Sequence, residues 1–488
     1  MRATPAAAAV LAALGGCSLA PHYDRPTMPA PAPDAYKEAA GAWKVATPAD
    51  AAPRGPWWSR FEDADLNDLE DQVSSANQSL RAALARLDEA RAETRIARSS
   101  YFPTVAASAT ANRERISKNT PSYQPGTSAT SNLFTLGGNF SYEADVFGRV
   151  RNTVANARYS EQATAGDVAS LDLELHAELA TDYFTLRGLD VEQQLLDRTV
   201  GDYAHALVLT QNLYNGGASP ISDVQQAQAQ LETARTQAED TRLRRAQTEH
   251  AIAVLVGREP SSFSIAARAA PSLPPLPGVD PGLPSQLLER RPDVAAAERR
   301  VAAANANIGV ARAAFFPVFN LFASAGYQST MSSNWLTAPS QFWSLGPQAV
   351  LTLFNGGLYR AQSAQAHAAY DEQVANYRGT VLTAYQDVED NLVALRQLQL
   401  ESVSEAAAVT ANQGALEQAN LRYKGGIVTY LEVVSTENAY LSAQLSAVDI
   451  EIRRAGATVL LIRALGGDWQ QPTAAAAATA AVHPEPAS

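Results

Sequence analysis

Residues 136–147 read Leu136-Gly137-Gly138-Asn139-Phe140-Ser141-Tyr142-Glu143-Ala144-Asp145-Val146-Phe147. Leu136, Gly138, Phe140, Tyr142, Ala144 and Val146 share one face. Asn139, Ser141, Glu143 and Asp145 share the other. An extended strand turns successive side chains to opposite faces. One apolar and one polar face at a period of two is the pattern of a strand between lipid and water, and also of a sheet packed on one side. The pattern recurs in Phe319, Leu321, Ala323, Ala325 and Tyr327, which alternate with Asn320, Ser324 and Gln328. It recurs again in Trp343, Leu345, Pro347, Ala349, Leu351 and Leu353. Four strands are therefore expected, at about 103–117, 133–147, 317–328 and 342–354. The stretches between them, 118–132 and 329–341, are rich in Ser, Thr, Asn and Pro and read as loops. The paired acids Glu143 and Asp145, on the polar face, are expected to line a wet lumen rather than to catalyse.

Outward from the strands the chain repeats itself. Ala97-Arg98-Ser99-Ser100-Tyr101-Phe102-Pro103 is matched by Ala311-Arg312-Ala313-Ala314-Phe315-Phe316-Pro317, and Tyr214-Asn215-Gly216-Gly217 by Tyr423-Lys424-Gly425-Gly426. The acid-Val pairs Asp223-Val224 and Glu432-Val433 follow. Landmarks in one order at nearly one offset mark an internal two-fold repeat. Each copy reads helix, strand, strand, long helix, turn, helix. The first copy spans 57–262 and the second 285–470. A Pro-rich linker covers 263–284, and an Ala- and Pro-rich tail, 471–488, reads as disordered.

Residues from about 63 to 98 lack Gly and Pro and read as one helix. The long helices, about 150–213 and 359–423, would each run about 96 Å at 1.5 Å per residue, deeper than any globular core. Such helices must lie side by side. The last helix carries the seam: Ile427, Leu431, Val434, Asn438, Leu441, Leu445, Val448, Ile452, Ala455, Val459 and Ile462 alternate spacings of four and three. That is a sustained coiled-coil heptad pattern, with Asn438 as its polar register residue.

With 38 basic and 50 acidic residues the net charge is −12, without the basic excess that nucleic-acid binding needs. The 46% apolar content argues against global disorder. No run of 18 apolar residues provides a transmembrane helix. The single cysteine excludes a disulfide framework. Six scattered histidines and three methionines give no metal site, and nucleotide-binding and hydrolase motifs are absent, so no enzyme is expected. Residues 1–16 have the layout of a signal peptide. Leu14-Gly15-Gly16-Cys17 resembles a bacterial lipobox, which makes Cys17 the expected site of covalent lipid, with no other cofactor. Ser18 after it favours outer-membrane sorting by resemblance to enteric lipoproteins. Residues 17–56 then read as a lipidated extended segment. Four strands cannot close a barrel, and open edges are not tolerated in hydrocarbon. Single-chain bacterial barrels begin at eight strands, so several chains must combine; three copies of four strands give twelve.

Several segments carry a family resemblance. They are Cys17-Ser18-Leu19-Ala20-Pro21-His22-Tyr23, Trp57-Trp58 with Phe61, Asp63 and Leu66, and Ser141 through Arg149. Arg290-Arg291-Pro292-Asp293-Val294 with Ala297-Glu298, and Leu353-Phe354-Asn355-Gly356-Gly357, complete them. Together they resemble the TolC-like outer-membrane efflux proteins, in the lipoprotein branch that serves resistance-nodulation-division pumps. The resemblance implies an α plus transmembrane β fold: a homotrimer forming a twelve-stranded β-barrel on a long α-helical barrel in the bacterial outer membrane. It implies an exit duct that conducts small molecules passively. The implied partners are outer-membrane lipid, a periplasmic adaptor and an inner-membrane pump. Tyr214, Asn215, Gly216, Gly217, Tyr423, Lys424, Gly425 and Gly426 would form the tips that meet the adaptor. The family commonly places a Leu and, four residues on, an Asp at the aperture. Here these positions hold Leu431 and Ser435, with Glu432 and Glu437 nearby, so a hydrophobic constriction at Leu431 is expected in place of an aspartate gate. A role for Leu431 as a seam residue alone stays open. The exit duct of a type I protein-secretion system fits the same fold, and a lipid-anchored periplasmic coiled-coil protein is the reading without a pore.

Overall fold

The computed structural model of the chain describes residues 18–28, 55–121, 123–268, 276–278 and 291–467. The signal peptide, Cys17, most of the Pro-rich linker and the tail lie outside the described residues. Seven helices and four strands are described: α1 Ala64–Ala76, α2 Gln78–Ser99, β1 Thr104–Arg115, β2 Thr130–Ala144, α3 Arg149–Asn215, α4 Ile221–Leu255, α5 Pro292–Ala313, β3 Val318–Ser329, β4 Gln341–Val350, α6 Leu358–Lys424 and α7 Tyr430–Ala464. The repeat is visible in their lengths. Helices α3 and α6 have 67 residues each, and α4 and α7 have 35 each. None of the described helices is long and apolar enough to cross a membrane.

The chain divides into two compact units. The first holds 18–27, 86–165 and 296–378. Its sheet is antiparallel throughout in the order β1-β2-β3-β4, so β1 and β4 are its edges. Pairing runs from Thr104↔Ser141 to Arg115↔Thr130, from Phe134↔Ser329 to Ala144↔Phe319, and from Val318↔Val350 to Tyr327↔Gln341. β4 was expected to reach 354 but ends at Val350. Its partner β3 starts at Val318 because Pro317 has no N–H to donate, so Leu351–Phe354 lose their ladder. At the other end of β2, Asp145 accepts hydrogen bonds from the Val150 and Arg151 amides at 3.0 and 2.8 Å, capping α3. Glu143 takes a bidentate pair from Arg149. The two acids are thus committed to the strand-to-helix junction instead of standing free on a lumen wall.

The second unit comprises the remaining described residues. Its core gathers Trp57, Phe61, Leu66, Leu69 and Val73 against Leu179, Tyr183, Phe184 and Leu186 of α3, Ile252 of α4 and Val459 and Ile462 of α7. The single helix expected over 63–98 is broken at Asn77. Its side chain accepts from the Leu80 amide at 3.0 Å and donates to the Leu255 carbonyl at 2.8 Å, while its own backbone is extended. A cap formed together with a tertiary bond outweighs the helix propensity of this stretch. The linker's first residues are also structural. Phe263 and Ile265 pack on the core, and Arg268 bonds Asp63, Asp65 and the Tyr183 hydroxyl at 2.8–2.9 Å. Asp63 in turn N-caps α1. Arg187, only 2% exposed, completes this network by donating to Asp65, Asp190, Tyr183 and the Ala266 carbonyl.

Candidate functional site: a two-faced sheet and paired helical turns

The strand register fixes which side chains stand together. Opposed residues of antiparallel strands share a face. Val105, Ala107, Ala109 and Ala111 therefore stand beside Phe140, Gly138, Leu136 and Phe134. The same face continues through Tyr142, Leu321, Ala323, Ala325 and Tyr327 to Trp343, Leu345 and Pro347. The opposite face carries Thr104, Ser108, Thr110, Asn112, Asn139, Ser141, Asn320, Ser324, Ser344 and Gln348, interrupted by Leu133, Phe322 and Phe342. The apolar face is open within the single chain, with Val105 74% and Trp343 79% exposed. A continuous apolar face of this kind needs a hydrocarbon partner, and a mainly polar face suits water.

In the second unit, both turns between long helices end in the same way. The Ala218 amide bonds the Leu213 carbonyl at 2.8 Å and the Gly217 amide bonds the Tyr214 carbonyl at 2.9 Å. Ile427 and Gly426 repeat this with Arg422 and Tyr423, both at 2.9 Å. This Schellman closure needs one left-handed residue, and Gly217 and Gly426 supply it at φ 73° and 70°. Only the second glycine of each pair carries positive φ, so Gly216 and Gly425 do not owe their place to it. Of the other tip residues, Asn215 and Lys424 end α3 and α6, Tyr214 is 40% exposed, and the Tyr423 ring packs on Tyr430 at 5.5 Å.

The turns differ in charge. Arg422 donates to Glu432 at 2.6 Å across the second turn. The first copy has Leu213 and Asp223 at these positions and no such pair. Leu431 is 57% exposed, and Ser435, one helical turn on, is exposed on the same side. The counterpart of Leu431 in the first copy is Ser222, so the hydrophobe belongs to one turn only. The intrachain seam begins later than the heptads suggest. Ile427 is 71% exposed and falls in the turn, whereas Tyr430, Val433 and Val434 are buried against Ala227 and Ala419. From Val434 to Ile462 the heptad positions include the buried Leu441, Ala455 and Val459. Glu437 is a half-buried acid without resolved hydrogen-bond partner on Oε2. Burial, reinforced by the Asp202 carboxylate, raises its pKa to about 7. Glu437 occupies no seam position, so the heptad pattern does not mark it as buried.

Residues 18–27, which follow Cys17, form a strap on the first unit. Ser18 donates to Asn152 at 3.1 Å, and Asn305 donates to the Pro21 carbonyl at 3.0 Å. The Tyr23 hydroxyl donates to Glu298 at 2.5 Å, Arg25 to the Tyr377 hydroxyl at 3.0 Å, and Arg378 to the Thr27 carbonyl at 3.1 Å. Gly309 of α5 lies under it, since a Cβ there would run into the Asn152 side chain and come within 2.7 Å of Ala20. Among the described residues no group of histidines, cysteines and acids could hold a metal ion.

A duplicated chain with a two-faced antiparallel sheet and helices of about 100 Å suits a channel-type membrane protein. The comparisons agree. A family model described as outer membrane efflux protein matches residues 69–258 and 283–467, one segment in each repeat. The chain is 33% identical over 465 residues to the outer membrane protein OprJ of Pseudomonas aeruginosa, with 94% of each chain covered. It is 30% identical over 466 residues to the cation efflux system protein CusC of Escherichia coli O6:H1, covering 95% of this chain and 98% of that one. The solved outer-membrane channel OprN superposes with a TM-score of 0.83 at 30% identity, over 93% of this chain and 100% of that one. The chain belongs to the outer membrane efflux protein family, and its function is that of an outer-membrane exit channel of an efflux pump.

Proposed function

We propose that three copies of this chain close edge to edge into a twelve-stranded barrel, and that their long helices line a tunnel continuous with it. The carrying observation is the register that gathers apolar side chains on one face of a sheet whose two edges are unpaired in the single chain. Unpaired edges are not tolerated in hydrocarbon, so closure has to come from other copies. Conduction is passive. An inner-membrane pump of the resistance-nodulation-division type supplies the energy, and a periplasmic adaptor engages the turns at Tyr214–Gly217 and Tyr423–Gly426. Lipid on Cys17 anchors the chain to the outer membrane, and the strap at Ser18–Thr27 fixes that anchor to the first unit. The exposed Leu431 forms the constriction, with Ser435 beside it and Glu432 held by Arg422.

Single-channel conductance of the purified protein in a planar bilayer, recorded with its oligomer mass, tests this reading. A trimer with small conductance is expected, and Leu431→Ser should raise the leak. A monomer without conductance at any voltage refutes closure. Unchanged conductance in the Leu431→Ser variant refutes the constriction alone.

A further inference from the structure

The apolar face of the sheet ends abruptly. Beyond Ala111 on β1 the next two residues of that face are Arg113 and Arg115, opposite Asn132 and Thr130. At about 3.3 Å per residue they lie roughly 7 and 13 Å past the last apolar position. Both are exposed, and neither side chain has a hydrogen bond or ion pair among the described residues. Glu114, between them, points to the polar face with Asn112.

Aromatic side chains mark the end of the apolar band. Phe134 pairs with Ala111 on that face, and the Trp335 ring lies 5.6 Å from it. Trp335 donates its ring N–H to the Tyr327 carbonyl at 3.3 Å. Aromatic rings collect where hydrocarbon gives way to headgroups. The arginines thus stand at headgroup depth, on the side that faces lipid.

Charge complementarity from protein is not at hand. Residues 116–142 contain no acid, and residues 318–350 contain no charged residue at all. A neighbouring copy paired along β1 through its own β4 and hairpin loops would therefore bring no carboxylate to Arg113 or Arg115. Lys118, the next cation, is placed over the Tyr123 ring at 5.9 Å. In a chain of net charge −12, this is a local cationic rim whose one neighbouring acid, Glu114, stands on the opposite face.

We propose that Arg113 and Arg115 bind phosphate-bearing lipid headgroups in the leaflet at the hairpin-loop end of the sheet. The guanidinium fork suits phosphate oxygens, and the alkyl stems can lie along the apolar band. This rests on the membrane-sheet reading above. The test uses the full-length protein reconstituted in phosphatidylcholine vesicles with or without bisphosphorylated lipid A. Lipid A retained per chain after repurification is measured by mass spectrometry for the wild type, for Arg113→Gln/Arg115→Gln, and for a control pair on α2, Arg95→Gln/Arg98→Gln.

The wild type and the control should retain lipid A in preference to phosphatidylcholine. The rim variant should bind it roughly twenty-five-fold more weakly, about fivefold for each arginine. Arg113→Lys/Arg115→Lys should recover part of the loss. Equal retention by the rim variant and the wild type overturns the proposal, as does displacement by inorganic phosphate alone, which would assign the site to the free ion. Heat-modifiable gel mobility reports barrel closure separately. A closed wild-type barrel with no lipid preference defeats the arginine site only, whereas a chain with no heat-modifiable band defeats the membrane-sheet reading and this site with it.

Discussion

Replacing His176 with Gln removes the positive member of a buried pair that fastens α1 to α3. His176 Nδ1 and Glu70 Oε2 lie 2.5 Å apart, His176 Nε2 is 3.0 Å from the Ser74 hydroxyl, and Asp172 lies 3.6 Å away. Trp58 stacks on the imidazole at 4.3 Å. Glu70 is fully buried, and its Oε1 has no partner in the structure. Burial pushes the Glu70 carboxyl up to about 7 against the pull of His176. Burial alone would lower the His176 pKa, but the carboxylates of Asp172 and Glu70 outweigh it and hold it at about 9. Both values exceed the ordinary ones of 4.5 and 6.5. Each group's stabilisation is therefore complete below its ordinary value. It is lost as pH rises, through about 7 for Glu70 and about 9 for His176.

His176→Gln leaves Glu70 buried without its counter-charge, and breaking such a pair costs about 3–5 kcal/mol. The cost should be largest between about pH 7 and 9, where the wild type holds carboxylate against imidazolium, and should shrink towards pH 5, where Glu70 is protonated. Guanidinium unfolding of the detergent-solubilised protein measures it. Tryptophan emission is a fitting probe, because a protonated imidazole against Trp58 quenches the indole. A loss below about 1 kcal/mol at pH 8, or the same loss at pH 5 and pH 8, would refute the reasoning.

Two further predictions concern the strap and the half-buried acid. Gly309→Ala drives a methyl into the Asn152 side chain that holds Ser18 and against Ala20, an overpacking cost of about 1–3 kcal/mol, and should release the strap; limited proteolysis within residues 18–28 should speed up, and an unchanged cleavage rate would count against the strap's fit. Glu437 has a pKa raised above its ordinary value of 4.5, so its stabilisation is lost as pH rises through about 7. Glu437→Gln should therefore be more stable than the wild type by about 1–2 kcal/mol at pH 8, after allowance for solvent screening, and nearly equal to it at pH 4.5. Identical melting differences at the two pH values would show that Asp202 and burial do not act on it.

The sequence determined the elements and their order. Period-two alternation set the strands and their faces, because side-chain direction along a strand depends only on parity. Repeat offsets paired Gly217 with Gly426, and the length of α3 and α6 required side-by-side helices. Only the tertiary structure decided what depends on partners distant in the chain. Asn77 breaks a good helix because Leu255 offers a carbonyl 178 residues away. Glu143 and Asp145 turn from lumen candidates into junction residues because Arg149 and the α3 amides meet them. β4 stops at Val350 because the strand beside it stops at Pro317. The seam of α7 leaves Ile427 and Leu431 outside, since Tyr430 and Val433 fit the small Ala227 and Ala419 more closely. The arginine rim needed both kinds of information: parity put Arg113 and Arg115 on one face, and the register with β2 showed that this face is the apolar one. Local propensity and periodicity are properties of neighbours in sequence, whereas caps, ion pairs and strand ends are settled by whichever distant group arrives to satisfy a buried polar atom.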